Sequence, residues 1–150
     1  MQHYHIPDVN KRATKKAVEN QLEKYRMYLV SLPVDKLPMI TPSYSIIPPS
    51  ITNEFSSSTE SAAINRVEYE LERNQFLKYI HDAVESLQPD ERYIIYKYYM
   101  EHDVGNDGEI MMDMGFGKTK YYSLKGKAVL RLAFNLKVEV YSKRKGDKIA

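Results

Sequence analysis

The chain has 150 residues, 43% of them hydrophobic and 28% charged, with a net charge of +2. That length supports one core with attached arms. Cysteine is absent, which excludes a disulfide framework and thiolate zinc sites. No apolar run approaches the roughly 20 residues of a membrane helix, and Met1 to Arg12 carries no apolar signal core. A soluble cytoplasmic protein, without membrane association, is therefore expected.

The small net charge hides a polar distribution. Residues 115–150 hold ten Lys/Arg against two Asp/Glu, residues 54–114 hold five against fourteen, and residues 1–31 hold six against three. A basic end of this kind can neutralise phosphates, and the acidic middle can face a basic partner. The alternative is a solvated charge pattern that contacts nothing.

Asp8 or Asn10 is placed to cap a first helix running to about Ser31. Ala13, Ala17 or Val18, Leu22, Tyr25 and Leu29 recur at the three-four spacing of one apolar stripe, with Lys11, Arg12, Lys15, Lys16, Lys24 and Arg26 mostly off it. Such a stripe needs a cover, either the C-terminal part of the chain or a second copy, so a homodimer is one expectation. Residues 32–58 carry Pro33, Pro38, Pro42, Pro48 and Pro49, which predicts an extended, irregular connection. Met39, Ile40, Tyr44, Ile46, Ile47, Ile51 and Phe55 are too apolar to leave in water, so this arm should lie along a groove.

Thr59 or Ser61 can cap a long helix to about Leu87, with Ile64, Val67, Leu71, Phe76 or Leu77, Ile80, Val84 and Leu87 on its buried side. Pro89 suits a first helical position, with Asp90 and Glu91 beside it. The helix it begins, to about Glu101, is rich in tyrosine, and Tyr93, Tyr96, Tyr98 and Tyr99 read as core and rim. Asp103 to Gly108 is a polar turn.

The stretch Asn106 to Leu136 organises the rest. Asn106 or Asp107 caps a short helix, Glu109 to Met114. Gly115 stands where that helix must end, since a left-handed residue costs glycine little. Phe116 plugs the turn and Gly117 starts a second helix, 117–136. In it Tyr121, Leu124, Ala128 and Leu132 form an apolar stripe. Thr119, Tyr122, Ser123 and Gly126 face away, flanked by Lys118, Lys120, Lys125 and Lys127. Two helices joined by a tight glycine turn, the second one cationic, make a helix-turn-helix that fits a DNA major groove. Lys137 to Tyr141 alternates as a short strand or frayed helix, and 142–150 is a basic tail.

From Leu87 to Leu132 the chain resembles region 4 of bacterial sigma factors, through LQPDER (Leu87 to Arg92), YIIYKYY (Tyr93 to Tyr99), GEIMMDMGFGK (Gly108 to Lys118) and KAVLRL (Lys127 to Leu132). Met111 stands where region 4 has a small alanine. Most of the chain is similar to the ArpU-type phage packaging and lysis transcriptional regulators. The stretches that carry this are Lys15 to Leu29, Leu37 to Ser50, Ser57 to Arg73 and Tyr121 to Tyr141. The resemblance implies a non-enzymatic, sequence-specific activator of late phage genes.

The expected architecture is all-α. An N-terminal amphipathic helix (1–31) is joined by a Pro-rich linker (32–58) to a sigma region 4-like helix-turn-helix domain (59–141), followed by the tail. Double-stranded DNA is the expected partner. Lys118, Thr119, Tyr122 and Ser123 are assigned to base edges or nearby phosphates, and Lys120, Lys125 and Lys127 to phosphate. The alternative is a protein-interaction module that grips host RNA polymerase through the same fold. Gly117, Lys118 and Thr119 copy the end of a phosphate-binding loop, but Met112 stands where its first glycine is needed. Asp103 to Met114 lacks the closing glutamate of a calcium loop. His3 and His5 are a solvated pair on a terminus, and no cofactor or metal is expected.

Overall fold

A computed structural model describes residues 8–50 and 60–143, the first five of the second stretch by backbone alone. The expected cap Thr59, the side chains of Ser61 and Ile64, Ile51 and Phe55 of the arm, the histidines His3 and His5, and most of the basic tail lie outside the described residues; Ser61 falls inside the helix Glu60–Glu85 and not at its cap.

Asn10 caps α1 (Lys11–Leu29), its side chain accepting from the Ala13 amide at 3.1 Å. The buried stripe is Thr14, Val18, Leu22, Tyr25 and Leu29. Thr14 takes the place expected for Ala13, because its hydroxyl meets the backbone of Val140 at 3.0–3.2 Å. Both the donor and the acceptor capacity of this buried hydroxyl are used, so burying it carries little penalty. The stripe packs on α5, α2 and the π-helical turn described below, so its cover is the chain itself.

The Pro-rich arm is more ordered than an irregular connection. A short 3-10 turn, Val34–Lys36, leads into an antiparallel hairpin of β1 (Met39–Ile40) and β2 (Ile46–Ile47), with Met39 opposite Ile47. Tyr44 adopts a left-handed backbone, φ 64°, at its tip. Two residues per strand cannot sustain a free hairpin, and side chains from other elements hold this one. Glu85 accepts from the Ile46 amide at 2.8 Å, Arg92 donates to Tyr44 O at 2.9 Å, and Tyr96 donates to Pro38 O at 2.9 Å. The Tyr44 and Tyr93 rings pack 4.4 Å apart. The molecule is thus mostly helical with one small sheet.

α2 (Glu60–Glu85) buries Leu77, Ile80, Ala83 and Val84 in its second half, with Leu87 just beyond its end. Leu71, expected on the buried side, is 54% exposed, and Arg73 is buried instead. The Arg73 guanidinium reaches Ser31 Oγ at 3.3 Å, past the end of α1. α3 (Pro89–Ile95) has Pro89 at its first position, with Glu91 accepting from the Gln88 amide at 3.0 Å. It continues as one π-helical turn, Tyr96–Met100. Arg26 of α1 donates to Tyr99 O at 3.0 Å, satisfying a carbonyl that the widened turn leaves open.

α4 (Asp107–Met114) and α5 (Lys118–Leu136) complete the helices. The main core gathers α1, α2, the π-turn and the second half of α5 around Leu22, Tyr25, Ile80, Ile95, Met100 and Leu132. A smaller one, Ile94, Ile110 and Tyr121, fastens α4 to α3 and α5. Each buried leucine or isoleucine here contributes about 2–5 kcal/mol against truncation to alanine. After α5 the chain runs extended and makes a single antiparallel bridge, Val9 to Tyr141. Neither a regular strand nor a frayed helix forms there. Asn10 donates to Val140 O at 2.8 Å and Ser142 to Asp8 O at 2.7 Å, tying the start of α1 to the end of α5.

Candidate nucleic-acid interface

Two helices and three linking residues build the candidate surface. Asn106 caps α4 by accepting from the Glu109 amide at 3.1 Å. Gly115 closes it in the left-handed region, φ 68°. Phe116 packs against the small core and Gly117 caps α5 in an extended conformation. Glycine is required at 115 because a Cβ there is strained at that φ. No neighbouring atom crowds the position.

Behind the turn lies a polar lock. Asp107 Oδ1 accepts from Tyr121 Oη at 2.6 Å and from Lys125 Nζ at 2.8 Å. Lys125 Nζ also sits 3.3 Å from the centre of the Tyr98 ring. Burial pushes the Asp107 carboxyl up, but hydrogen bonds from Lys125 and Tyr121 outweigh it and hold the group below its ordinary value. Burial lowers Lys125, opposed by its bond to Asp107. It also raises Tyr121, with the hydrogen bond to Asp107 adding to it. These contacts fix the start of α4 against the middle of α5, and so the angle at which α5 is presented.

Lys118, Thr119, Lys120, Ser123 and Lys127 are exposed and Tyr122 is 44% exposed, so these six share the open side of the first half of α5. Lys120 Nζ lies 4.1 Å from the Phe116 ring centre, over the turn. Lys125 is placed differently from the sequence reading. It is 8% exposed and turned inward on Asp107, so its ammonium is engaged and not offered to a ligand. Gly126 stands on the open face, and a Cβ added there would meet nothing within 4 Å, so tight packing does not account for it. Met111 and Met114 pack against the small cluster, while Met112 is 84% exposed.

Sequence reasoning missed Lys11 and Lys15 as neighbours of this surface. They line a groove with Ser123, Gly126 and Lys127. Their spacing of four on the polar side of α1 was the available signal, but only the packing of α1 on α5 shows which surface they join.

The molecule is thus a mostly helical protein presenting a basic, polar helix end beyond a glycine turn. It is 33% identical over 137 residues to the uncharacterized phage-related protein Lin1259/Lin1739 of Listeria innocua serovar 6a, covering 91% of this chain and 96% of that protein. It is 30% identical over 135 residues to Protein Gp66 of Listeria phage A118, covering 90% and 92%. The chain belongs to this family of phage-related proteins. No family model matches it, and no solved structure matches it. No helix among the described residues is long and apolar enough to cross a membrane.

Proposed function

We propose that the protein is a sequence-specific DNA-binding transcription regulator of phage late packaging and lysis genes, acting as an activator of the ArpU type. The observation that carries this reading is the first half of α5. Its buried side is locked by Asp107 and Tyr121, while Lys118, Thr119, Lys120, Tyr122, Ser123 and Lys127 stand open beyond a glycine turn. Rigid presentation of a cationic helix end is what major-groove entry requires. Thr119, Tyr122 and Ser123 would meet base edges. Lys118, Lys120 and Lys127 would take phosphates, supplying affinity without sequence information. Lys125 belongs to the scaffold behind the face. The reading includes no catalytic step, and its family's phage origin agrees with a phage role.

The test is a titration onto duplex DNA flanking the protein's own gene, against a scrambled duplex, across a salt series. The three α5 lysines on phosphates contribute about −3 to the slope of log affinity on log salt. A clear preference for the flanking duplex supports a sequence reader. Equal binding to both duplexes rejects sequence specificity, and no binding at low salt rejects the DNA role.

A second reading has one observation in its favour. The first half of α2 exposes Leu71 at 54% and Tyr69 at 43% beside Glu68 and Glu72. An acidic helix with open apolar residues suits a protein partner such as host RNA polymerase. Retention by polymerase after Lys118→Gln and Lys120→Gln would favour that surface as the working one.

A further inference from the structure

Between the first turns of α1 and the middle of α5 runs an open groove of about 620 Å³. One wall carries Lys11 and Lys15, four residues apart and therefore on one side of α1. The other carries Ser123, Gly126 and Lys127. Asp107, at its floor, is already taken by Lys125 and Tyr121.

Three features of this groove each run against folding stability. First, α1 has no acidic residue in its first turn and begins Lys11, Arg12. Cations at a helix N-terminus oppose the positive end of its dipole, where an anion would be favoured. Second, Lys11, Lys15 and Lys127 line one groove with none in a close ion pair to a carboxylate among the described residues; Lys15 helps to lower Asp107 but also repels Lys125. Third, Gly126 interrupts a 19-residue helix at a position where a side chain would have open space, although glycine is a poor helix former. A polyanion laid in the groove relieves the first two and uses the third, because a helix wall without a side chain admits close approach.

We infer that the α1–α5 groove seats a stretch of the phosphodiester backbone of duplex DNA, with Lys11 and Lys15 binding its phosphates beside Gly126. The inference rests on the DNA-binding reading of α5 and extends it. The groove opens onto the same side of α5 as Ser123 and Lys127, so a duplex lying on the helix end continues across it. α1 then serves as a second clamp, setting affinity and orientation but not sequence preference.

The experiment compares wild type with Lys11→Gln/Lys15→Gln, using the flanking duplex and a scrambled duplex in a salt series. Both lysines are exposed and stand at the positive end of the α1 dipole, so the double variant should melt no lower than wild type. Loss of two phosphate contacts makes the salt slope shallower by about two and affinity at about 0.1 M salt tens-fold weaker, equally on both duplexes. A Cβ at position 126 meets nothing within 4 Å, so Gly126→Leu puts a side chain into the groove and is expected to melt no lower than wild type while binding DNA more weakly. Wild-type binding with an unchanged slope in the double variant, or full-strength binding by Gly126→Leu, overturns the groove while leaving the α5 reading intact. A wild type that binds no duplex overturns both.

Discussion

Replacing Lys125 with methionine separates scaffold from contact surface. Methionine keeps most of the apolar stem and removes the ammonium. The side chain is 8% exposed, its Nζ lies 2.8 Å from Asp107 Oδ1 and 3.3 Å from the Tyr98 ring centre. Asp107 would keep only the Tyr121 hydroxyl as a side-chain donor. Losing one charged partner of a partly buried carboxylate costs about 1–3 kcal/mol, and the lost cation–π contact adds to it. Taking about 2 kcal/mol for the whole, a chain of this size should melt about 4–8 °C lower. The assay pairs thermal melts of wild type, Lys125→Met, Asp107→Asn and the double variant with DNA salt titrations. The two substitutions should be non-additive by about 1 kcal/mol, as neighbours in one network are. The salt slope should not change, because the ammonium is not offered to phosphate. A slope shallower by about one with unaltered melting would refute the inward placement and make Lys125 a phosphate ligand.

Other expectations follow from single positions. Gly105→Ala puts a Cβ 2.3 Å from Lys97 O and 2.7 Å from Tyr98 Cα. These are backbone atoms that cannot step aside, so a loss of about 1–3 kcal/mol is expected by chemical denaturation; a neutral outcome would show that the 101–106 loop is free to move. Gly115→Ala should lose about 1 kcal/mol through its φ of 68° alone, and Gly115→Asn less. Equal melting of both with wild type would contradict a left-handed cap. The Asp107 carboxyl lies below its ordinary 3.8 in the folded chain, so its contribution is present at neutral pH and lost as pH falls through the folded value. Asp107→Asn should therefore be less stable than wild type at pH 7, with the gap closing below about pH 4. A gap that persists in acid would assign the loss to shape and not to charge.

What the sequence reveals is local chemistry. Asn10, Pro89, Asn106 and Gly115 mark helix ends where they were expected, because each acts on amides or dihedrals within a few residues. The stripes of α1 and α5 were readable because helical period alone decides them. Leu71 and Arg73 were not: which side of α2 is covered depends on where α1 ends, and Ser31 there accepts from Arg73. The hairpin escaped notice because its two-residue strands carry no alternation, and its order comes from Glu85, Arg92 and Tyr96. Lys125 illustrates the limit at the candidate site. A helical wheel sets it at the edge of the apolar stripe, and only Asp107, across the turn on α4, decides that it points inward.

The most direct test maps the surface that meets DNA. Backbone amide resonances of the isotopically labelled full chain would be followed as the flanking duplex is added. DNA recognition by α5 predicts shifts concentrated at residues 117–127, with a second group at 11–16 from the groove. Shifts confined to the first half of α2, or none at saturating duplex, would contradict it.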